Sequence, residues 1–265
     1  MKVLGVVGSP RRERGLSHRI VTKVLEGANT AGAQTELLYL IDQKPQYCIH
    51  CGHSCFEDGE CAQEAEATSR SRLVDAADAL VVCAPVYCWQ ANGLTTAFFD
   101  KHRPSAGHWT RDRQHGRHAL GIAVAGGTGS GVFTALQSIY AWMCLSKYRP
   151  LDPAPVTRFN LSDVLADAPG LGRTLAEAQP RPFADTAELM LTYDQLRFMD
   201  FGRIDEFRWL AEQIARGLEA RQDAQTTVDT LQRLMAEATS KRTAGDARGE
   251  AECIMRTYRI GAAAW

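Results

Sequence analysis

The first seventeen residues of the chain constrain its fold more than any other stretch. Residues 3–7 form a short apolar run, which ends at a Gly-Ser-Pro turn and leads through an arginine-rich loop to a helical pattern from Leu16. A short apolar run bounded by turn residues is typical of a buried β-strand. Backbone N–H groups at the start of the next helix, with the guanidinium of Arg11, favour an anion. The stretch predicts a strand, a phosphate-binding loop and a helix; an ordinary connection with solvated arginines is the alternative.

This loop departs from two widespread phosphate-binding patterns. It has no Lys-Ser/Thr pair after a glycine, so it is not G-x-x-x-x-G-K-[ST], and it does not match G-x-G-x-x-G. We therefore expect a phosphate group here, but neither a nucleoside triphosphate nor a dinucleotide of the Rossmann type.

Composition narrows the class of protein further. Thirty Lys and Arg residues against 31 Asp and Glu residues give a formal charge of −1, which does not indicate nucleic acid or an anionic membrane as a partner. No run approaches the roughly 18 apolar residues of a membrane-spanning helix, and arginines interrupt the first apolar run too early for a signal peptide. We expect a cytoplasmic protein, in which eight cysteines point to metal or redox chemistry rather than to structural disulfides.

Apolar strand patterns alternate with helical patterns along the first part of the chain. The predicted strands cover residues 3–7, 35–41, 79–84, 118–125 and 156–159, and the predicted helices cover residues 16–31, 64–77, 93–101 and 132–146. Such alternation predicts an α/β fold with a doubly wound, parallel, five-stranded sheet. The loops at residues 8–17, 84–92 and 125–131 all follow strand C-termini, where such sheets bind ligands. They can therefore share one pocket.

The rest of the chain predicts helices. Residues 147–183 are rich in proline and indicate little beyond the fifth strand, whereas helical spacing of apolar residues begins near Asp185. We expect a solvated linker at residues 241–250. The apolar segment 253–265 packs either on a second subunit or back on its own chain. The predicted division is a domain over residues 1–183, with a cysteine-rich loop at 47–61, and a helical extension over residues 184–265.

At the three loops the chain resembles the NADPH-dependent FMN reductases of the flavodoxin-like superfamily. Gly8-Ser9-Pro10-Arg11 with Gly15 and Ser17 is similar to the phosphate loop of that family, Ala84-Pro85-Val86-Tyr87 to its second flavin loop, and Ala125-Gly126-Gly127-Thr128-Gly129 to its third. The resemblance covers roughly residues 1–145 and implies FMN. The residues that it implies for FMN binding are Ser9, Arg11, Gly15, Ser17, Pro85, Val86, Tyr87, Trp89, Gly126, Gly127 and Gly129.

These residues divide by the part of FMN that they would contact. The resemblance implies that Ser9, Arg11 and Ser17 bind the phosphate, and that the second loop carries the isoalloxazine. Aromatic side chains such as Tyr87 and Trp89 can stack on that ring, and the glycines of the third loop allow close approach of the backbone. Either aromatic residue could instead belong to the core or to an interface.

Four cysteines lie within fourteen residues, directly after the second predicted strand. These are Cys48, Cys51, Cys55 and Cys61. Such a density is explained by a metal ion or an iron–sulfur cluster. The motif resembles that of the iron–sulfur flavoproteins, a branch of the same family, which implies a [4Fe–4S] cluster beside FMN. Three residues separate Cys51 from Cys55, where the family usually has two. Zinc, with His50 or His53 as a ligand, and a metal-free dithiol remain alternatives.

The sequence thus predicts an FMN-dependent oxidoreductase that passes electrons between FMN and a [4Fe–4S] cluster, without an evident catalytic acid–base pair. The donor would be NAD(P)H or a ferredoxin and the acceptor a small molecule, and we expect a homo-oligomer, either a dimer or a tetramer. A first alternative is an NAD(P)H:quinone-type FMN reductase with zinc or free thiols in the loop. A second is a redox sensor or electron carrier without turnover of its own.

Overall fold

A computed structural model of the chain describes residues 1–52, 55, 60–102 and 116–265. The strands are β1 (Lys2–Val7), β2 (Gln34–Tyr39), β3 (Ala79–Tyr87), β4 (Gln90–Ala91), β5 (His118–Ala125), β6 (Arg149–Pro150) and β7 (Ala154–Thr157). The helices are α1 (Leu16–Thr30), α2 (Leu40–Gln43), α3 (Ala65–Asp75), α4 (Gly93–Lys101), α5 (Val132–Leu145), α6 (Leu161–Glu177), α7 (Thr186–Asp194), α8 (Arg203–Glu219), α9 (Gln225–Thr243) and α10 (Ala247–Ala264).

The sheet is parallel at five strand positions. Its order is β2-β1-β3-β5-β6, and β7 continues along β5 beyond β6, while β4 forms a short antiparallel hairpin with β3. This order is that of flavodoxin-like sheets. The predicted doubly wound α/β fold, with a helical C-terminal part, is confirmed.

Alternate residues of the central strands supply two apolar layers, as expected of a sheet that is covered on both faces. Val3, Val7 and Val81 pack beneath α1 and α6, whereas Leu4 and Val6 belong to the core on the other face. That second core continues from α5 into the C-terminal helices. The predicted boundary at residues 183 and 184 stays a prediction.

The structure corrects the prediction for residues 147–183. The fifth strand position is split into β6 and β7, because prolines in this segment cannot donate to a ladder and are tolerated at a sheet edge. Helix α6 follows, although Pro169 lies inside it and removes one helical hydrogen bond. A side chain in place of Gly172 would overlap with the carbonyl of Val24, so this glycine allows α6 and α1 to pack closely.

One further correction and the outcome of one open alternative concern the C-terminal helices. The expected solvated linker at residues 241–250 shrinks to the turn between Thr243 and Ala247, because Asp246 caps α10 by accepting a hydrogen bond from Gly249 N at 2.9 Å. The apolar segment 253–265 lies in α10, where Ile254 is buried in the chain's own core. None of the described helices has the length and apolar character needed to cross a membrane.

Candidate functional site

A cavity of about 240 Å³ opens where β1, β3 and β5 end. It brings together the three loops that the sequence analysis predicted to meet. Its lining consists of Ser9, Arg11, Gly15, Leu16, Ser17, Pro85, Val86, Tyr87, Val124 and Gly126. Of the predicted flavin contacts, Trp89, Gly127 and Gly129 lie outside this lining.

One end of the cavity is formed by the start of α1. Gly15 is the N-cap residue and provides no side-chain cap, so the first N–H groups of the helix have no acceptor within it. The side chains of Ser9 and Ser17 are buried beside this helix start, and Arg11 N donates to Ser9 Oγ at 3.2 Å. Backbone N–H groups, the two serine hydroxyl groups and Arg11 thus line the same end of the cavity. The residues present fit a phosphate group.

The phosphate loop is tied to the centre of the sheet. Gly8 N donates to Cys83 O at 2.8 Å, where β1 and β3 run side by side. The Cys83 thiol is fully buried and shares a hydrogen bond with Ser17, and burial raises the pKa of Cys83 to about 12. Cys83 therefore remains a protonated thiol beneath the cavity and acts as a small buried residue.

Asn92 and Thr95 hold the phosphate loop to the second loop, a role that the sequence analysis missed. Asn92 Nδ2 donates to Gly8 O at 2.9 Å, and Thr95 Oγ1 donates to Asn92 Oδ1 at 2.6 Å. Asn92 N also donates to Pro85 O at 3.0 Å. The only local signal is Asn92 itself, which is the N-cap residue of α4.

The second loop is a β-hairpin, and its aromatic residues have different surroundings. Cys88 and Trp89, the central residues of the turn, have φ values of +49° and +66°. Tyr87 lines the cavity and is 45% exposed, so its ring is available for stacking. The Trp89 ring lies 5.9 Å from that of Phe207, and Arg203 lies over it at 5.0 Å. Trp89 thus connects the loop to α8, and its predicted contact with flavin stays a prediction.

The third loop is open on one side and held by the C-terminal helices on the other. Among the described residues, apart from the adjoining ones, no atom lies within 4 Å of the Cβ position of Gly126 or Gly127, which leaves room for a flat ring. The buried carboxylate of Glu206, in α8, accepts from Gly131 N at 3.0 Å and from Phe133 N at 2.9 Å. Tyr258 Oη, in α10, donates to Thr128 O at 2.8 Å. Neither contact was predicted.

The four clustered cysteines line a second cavity, of about 200 Å³. Its lining comprises Cys48, Ile49, His50, Cys51, Gly52, Cys55, Cys61, Ala62, Gln63 and Lys101. The cysteines are present as thiols. Within the described part of the chain, no group of three or more His, Cys, Asp or Glu side chains lies close enough together to hold a metal ion. His53, the other histidine considered for zinc, lies outside the described residues.

Buried charges form one wall of this cysteine cavity. Lys101 Nζ donates to Cys61 Sγ at 3.6 Å and lies 3.3 Å from Glu64 Oε2. Arg70 Nη2 donates to Glu64 Oε1 at 2.8 Å. Burial raises the pKa of Cys61, but N–H groups of Gln63 and Glu64 and the ammonium of Lys101 outweigh that effect, so the pKa lies below that of an ordinary thiol.

Helix α4 joins the two cavities. Its N-cap residue, Asn92, contacts the phosphate loop, and its last residue, Lys101, lines the cysteine cavity. Nine residues at 1.5 Å each make the helix about 13 Å long. The two cavities are therefore separated by one short helix.

Known proteins share both the sequence and the fold of this chain. An iron–sulfur flavoprotein of Archaeoglobus fulgidus is 31% identical over 129 residues, which are 49% of this chain and 56% of that protein. The iron–sulfur flavoprotein MJ1083 of Methanocaldococcus jannaschii is 30% identical over 48% of this chain and 65% of its own length. The match thus spans less than two thirds of either relative.

Solved structures agree in fold. An NADH:FMN oxidoreductase in its apo form superposes with a TM-score of 0.50 at 17% identity, over 68% of this chain and 91% of its own. The family model for NADPH-dependent FMN reductases matches residues 1–149, the segment that contains the three loops and the four clustered cysteines. The chain therefore belongs to the NADPH-dependent FMN reductase family, a family of flavin-dependent oxidoreductases.

Proposed function

We propose that this protein is an FMN-dependent oxidoreductase that passes electrons between FMN, bound under the phosphate loop, and a [4Fe–4S] cluster. The cluster would be held by Cys48, Cys51, Cys55 and Cys61. The observation that carries the proposal is that these four cysteines line a single cavity, which one short helix joins to the phosphate loop.

The first cavity supports the FMN part of the proposal. Its uncapped helix start, with Ser9, Ser17 and Arg11, would hold the phosphate of FMN. Pro85 and Val86 offer an apolar surface, and the exposed ring of Tyr87 can stack on a flavin. The open backbone at Gly126 and Gly127 would lie along a ring edge.

The second cavity supports the cluster part. Four thiols on a short loop are a suitable ligand set for a cubane cluster, and the lowered pKa of Cys61 favours the thiolate form that binds iron. The curated relatives that match this chain are named iron–sulfur flavoproteins. Cys48 and Cys51 are exposed, and their thiols would move towards Cys55 and Cys61 to complete the four-cysteine ligand set.

In this proposal the cofactors carry the redox chemistry and the chain sets their positions. Bound FMN can exchange two electrons with a hydride donor and single electrons with a cluster. Arg11 and the start of α1 would anchor the phosphate. Tyr87 lies at the exposed side of the cavity, where NAD(P)H or a small-molecule acceptor would approach. A ferredoxin could instead supply electrons at the exposed cysteine loop. We further propose a cytoplasmic homo-oligomer.

A second candidate is an NAD(P)H:quinone-type FMN reductase with zinc or free thiols in the cysteine loop. One observation favours it: three residues separate Cys51 from Cys55, where the iron–sulfur flavoprotein motif that the loop resembles usually has two.

One preparation can separate the two candidates. We would purify the protein anaerobically, record its absorption spectrum, and quantify FMN, iron, sulfide and zinc in the same sample. A [4Fe–4S] cluster requires four irons and four sulfides per chain. We expect this stoichiometry together with a broad absorption shoulder in the blue that dithionite bleaches. Stoichiometric FMN without iron would contradict the cluster and favour the second candidate.

A further inference from the structure

The cysteine cavity carries an excess of buried positive charge on its inner wall. Lys101 is 4% exposed and Arg70 is 3% exposed, and between them lies the carboxylate of Glu64. Among the charged groups described in this wall, two cations thus share one carboxylate. Buried charge of one sign is costly unless an opposite charge compensates it.

The carboxylate of Glu64 interacts with other groups besides Lys101. Oε1 accepts from Arg70, and Oε2 accepts from the backbone N–H of Gln46 at 3.1 Å as well as facing Lys101. Lys101 Nζ also donates to Cys61 Sγ at 3.6 Å. The ammonium of Lys101 thus lies between the Glu64 carboxylate and a cysteine sulfur.

We propose that Lys101 is a positioning residue that acts through Cys61 to raise the reduction potential of the group bound by the four cysteines. This inference rests on the proposed function, because it assumes a [4Fe–4S] cluster in the cysteine cavity. A cluster with four thiolate ligands is anionic and becomes more so on reduction, so a nearby cation and a hydrogen bond to a ligand sulfur stabilise the reduced form more than the oxidised form.

Both ends of α4 help to hold Lys101 in place. It is the last residue of α4, where a cation is stabilised by the negative end of the helix dipole. The other end of α4 is fixed to Gly8 and Pro85 by Asn92. The helix is thus tied to the phosphate loop at one end and carries Lys101 into the cysteine cavity at the other.

The test is a pair of substitutions with opposite expected signs. Lys101→Met keeps most of the side-chain volume and removes the cation, whereas Glu64→Gln removes the carboxylate and leaves the cation in excess. Lys101→Arg retains the charge, and Lys23→Met, on the exposed side of α1, is the matched control. The readout is the midpoint potential of the cluster, measured by dye-mediated reductive titration with electron paramagnetic resonance, with iron and FMN content determined on each sample.

We expect Lys101→Met to lower the cluster potential by at least about 59 mV, which corresponds to a tenfold change in the equilibrium constant of a one-electron couple. Glu64→Gln should raise it. Lys101→Arg should stay closer to the wild-type value than Lys101→Met does, and Lys23→Met should match the wild type.

Four outcomes separate the inference from the proposed function. Wild-type protein without iron and sulfide would contradict the proposed function itself. A wild-type cluster whose potential is unchanged by Lys101→Met, or moves in the same direction in Lys101→Met and Glu64→Gln, would contradict only the role of Lys101. Loss of the cluster in Lys101→Met with retention in Lys101→Arg would support the need for the charge. Loss in both would indicate a purely structural role and overturn the inference.

Discussion

The cavity beneath the phosphate loop is fixed by hydrogen bonds to the sheet, whereas two of the four cysteines that line the cysteine cavity are exposed. In the first, Gly8 binds β3 and Asn92, and Gly131 binds Glu206. In the second, Cys61 is held between Lys101 and α3, but Cys48 and Cys51 are exposed.

This difference indicates how each site would acquire its cofactor. Backbone groups already face the phosphate position, so the first cavity can bind flavin without a large rearrangement. In the second cavity, we expect metal binding to bring the thiols of the four cysteines closer together. The two sites should accordingly respond to substitution independently of one another.

The largest effect is expected from loss of one clustered cysteine. Cys51→Ser should remove nearly all iron from the purified protein, because a serine hydroxyl is a poor substitute for a thiolate, while the FMN content stays at the wild-type level. Iron, sulfide and FMN assays measure both quantities. Cys88→Ser is the matched control, because Cys88 is exposed in the β3–β4 turn and outside the cysteine cavity. Loss of FMN together with iron would show that the two sites are not independent.

Removal of the phosphate-loop guanidinium should weaken flavin binding. We expect Arg11→Ala to raise the dissociation constant of FMN by about ten- to hundredfold, since a hydrogen bond to a charged group contributes about 1.5–3 kcal/mol. Fluorescence titration of the flavin-free protein measures this constant. Arg19→Ala, an exposed arginine of α1, should leave it unchanged. An Arg11→Ala variant with wild-type affinity would exclude Arg11 from the phosphate site.

A moderate effect is expected where the C-terminal helices hold the third loop. Glu206→Ala leaves two buried N–H groups without their acceptor, which should cost about 2 kcal/mol and lower the melting temperature by roughly 4–8 °C. Differential scanning calorimetry measures the shift. Glu212→Ala is the control, because Glu212 is exposed on the same helix. Since the described hydrogen bonds of Glu206 go to Gly131 and Phe133, iron content should not change. An unchanged melting temperature would contradict the role of Glu206.

The smallest effect concerns thiol reactivity in the two cavities. Because burial raises the pKa of Cys83 to about 12, its thiol stays protonated, and iodoacetamide should not modify it even at pH 9. After chelation of the metal, exposed Cys48 and Cys51 should react readily. Peptide mapping by mass spectrometry distinguishes these sites, and protein unfolded in urea is the control in which every cysteine reacts. Modification of native Cys83 at pH 9 would show that the first cavity is less closed than the structure indicates.

Local patterns in the sequence account for most of the fold and for part of the site. The apolar run at residues 3–7 and the Gly-Ser-Pro turn after it predict β1 and the phosphate loop, because a strand and its turn depend on neighbouring residues. Helix α6 was missed for the same reason. Pro169 argues against a helix locally, whereas the packing of α6 on α1 at Gly172 and on the sheet favours it.

The residues that support the cavities could not be predicted in this way. Glu206 contacts Gly131 across 75 positions of the chain, and Tyr258 contacts Thr128 across 130 positions. Periodicity identifies α8 and α10 as helices with an apolar face, but it does not say which surface that face will cover. The link between Lys101 and Cys61 likewise spans 40 positions, which include α3, β3 and β4.

The sequence by itself determined the alternation of strands and helices, the phosphate loop and the density of cysteines, since each of these is a property of residues close together in the chain. The tertiary structure alone decided that four cysteines and a buried lysine share one cavity, and that the C-terminal helices hold the third loop. The physical reason is that burial and charge compensation depend on which distant segments meet, and only the packed fold brings those segments together.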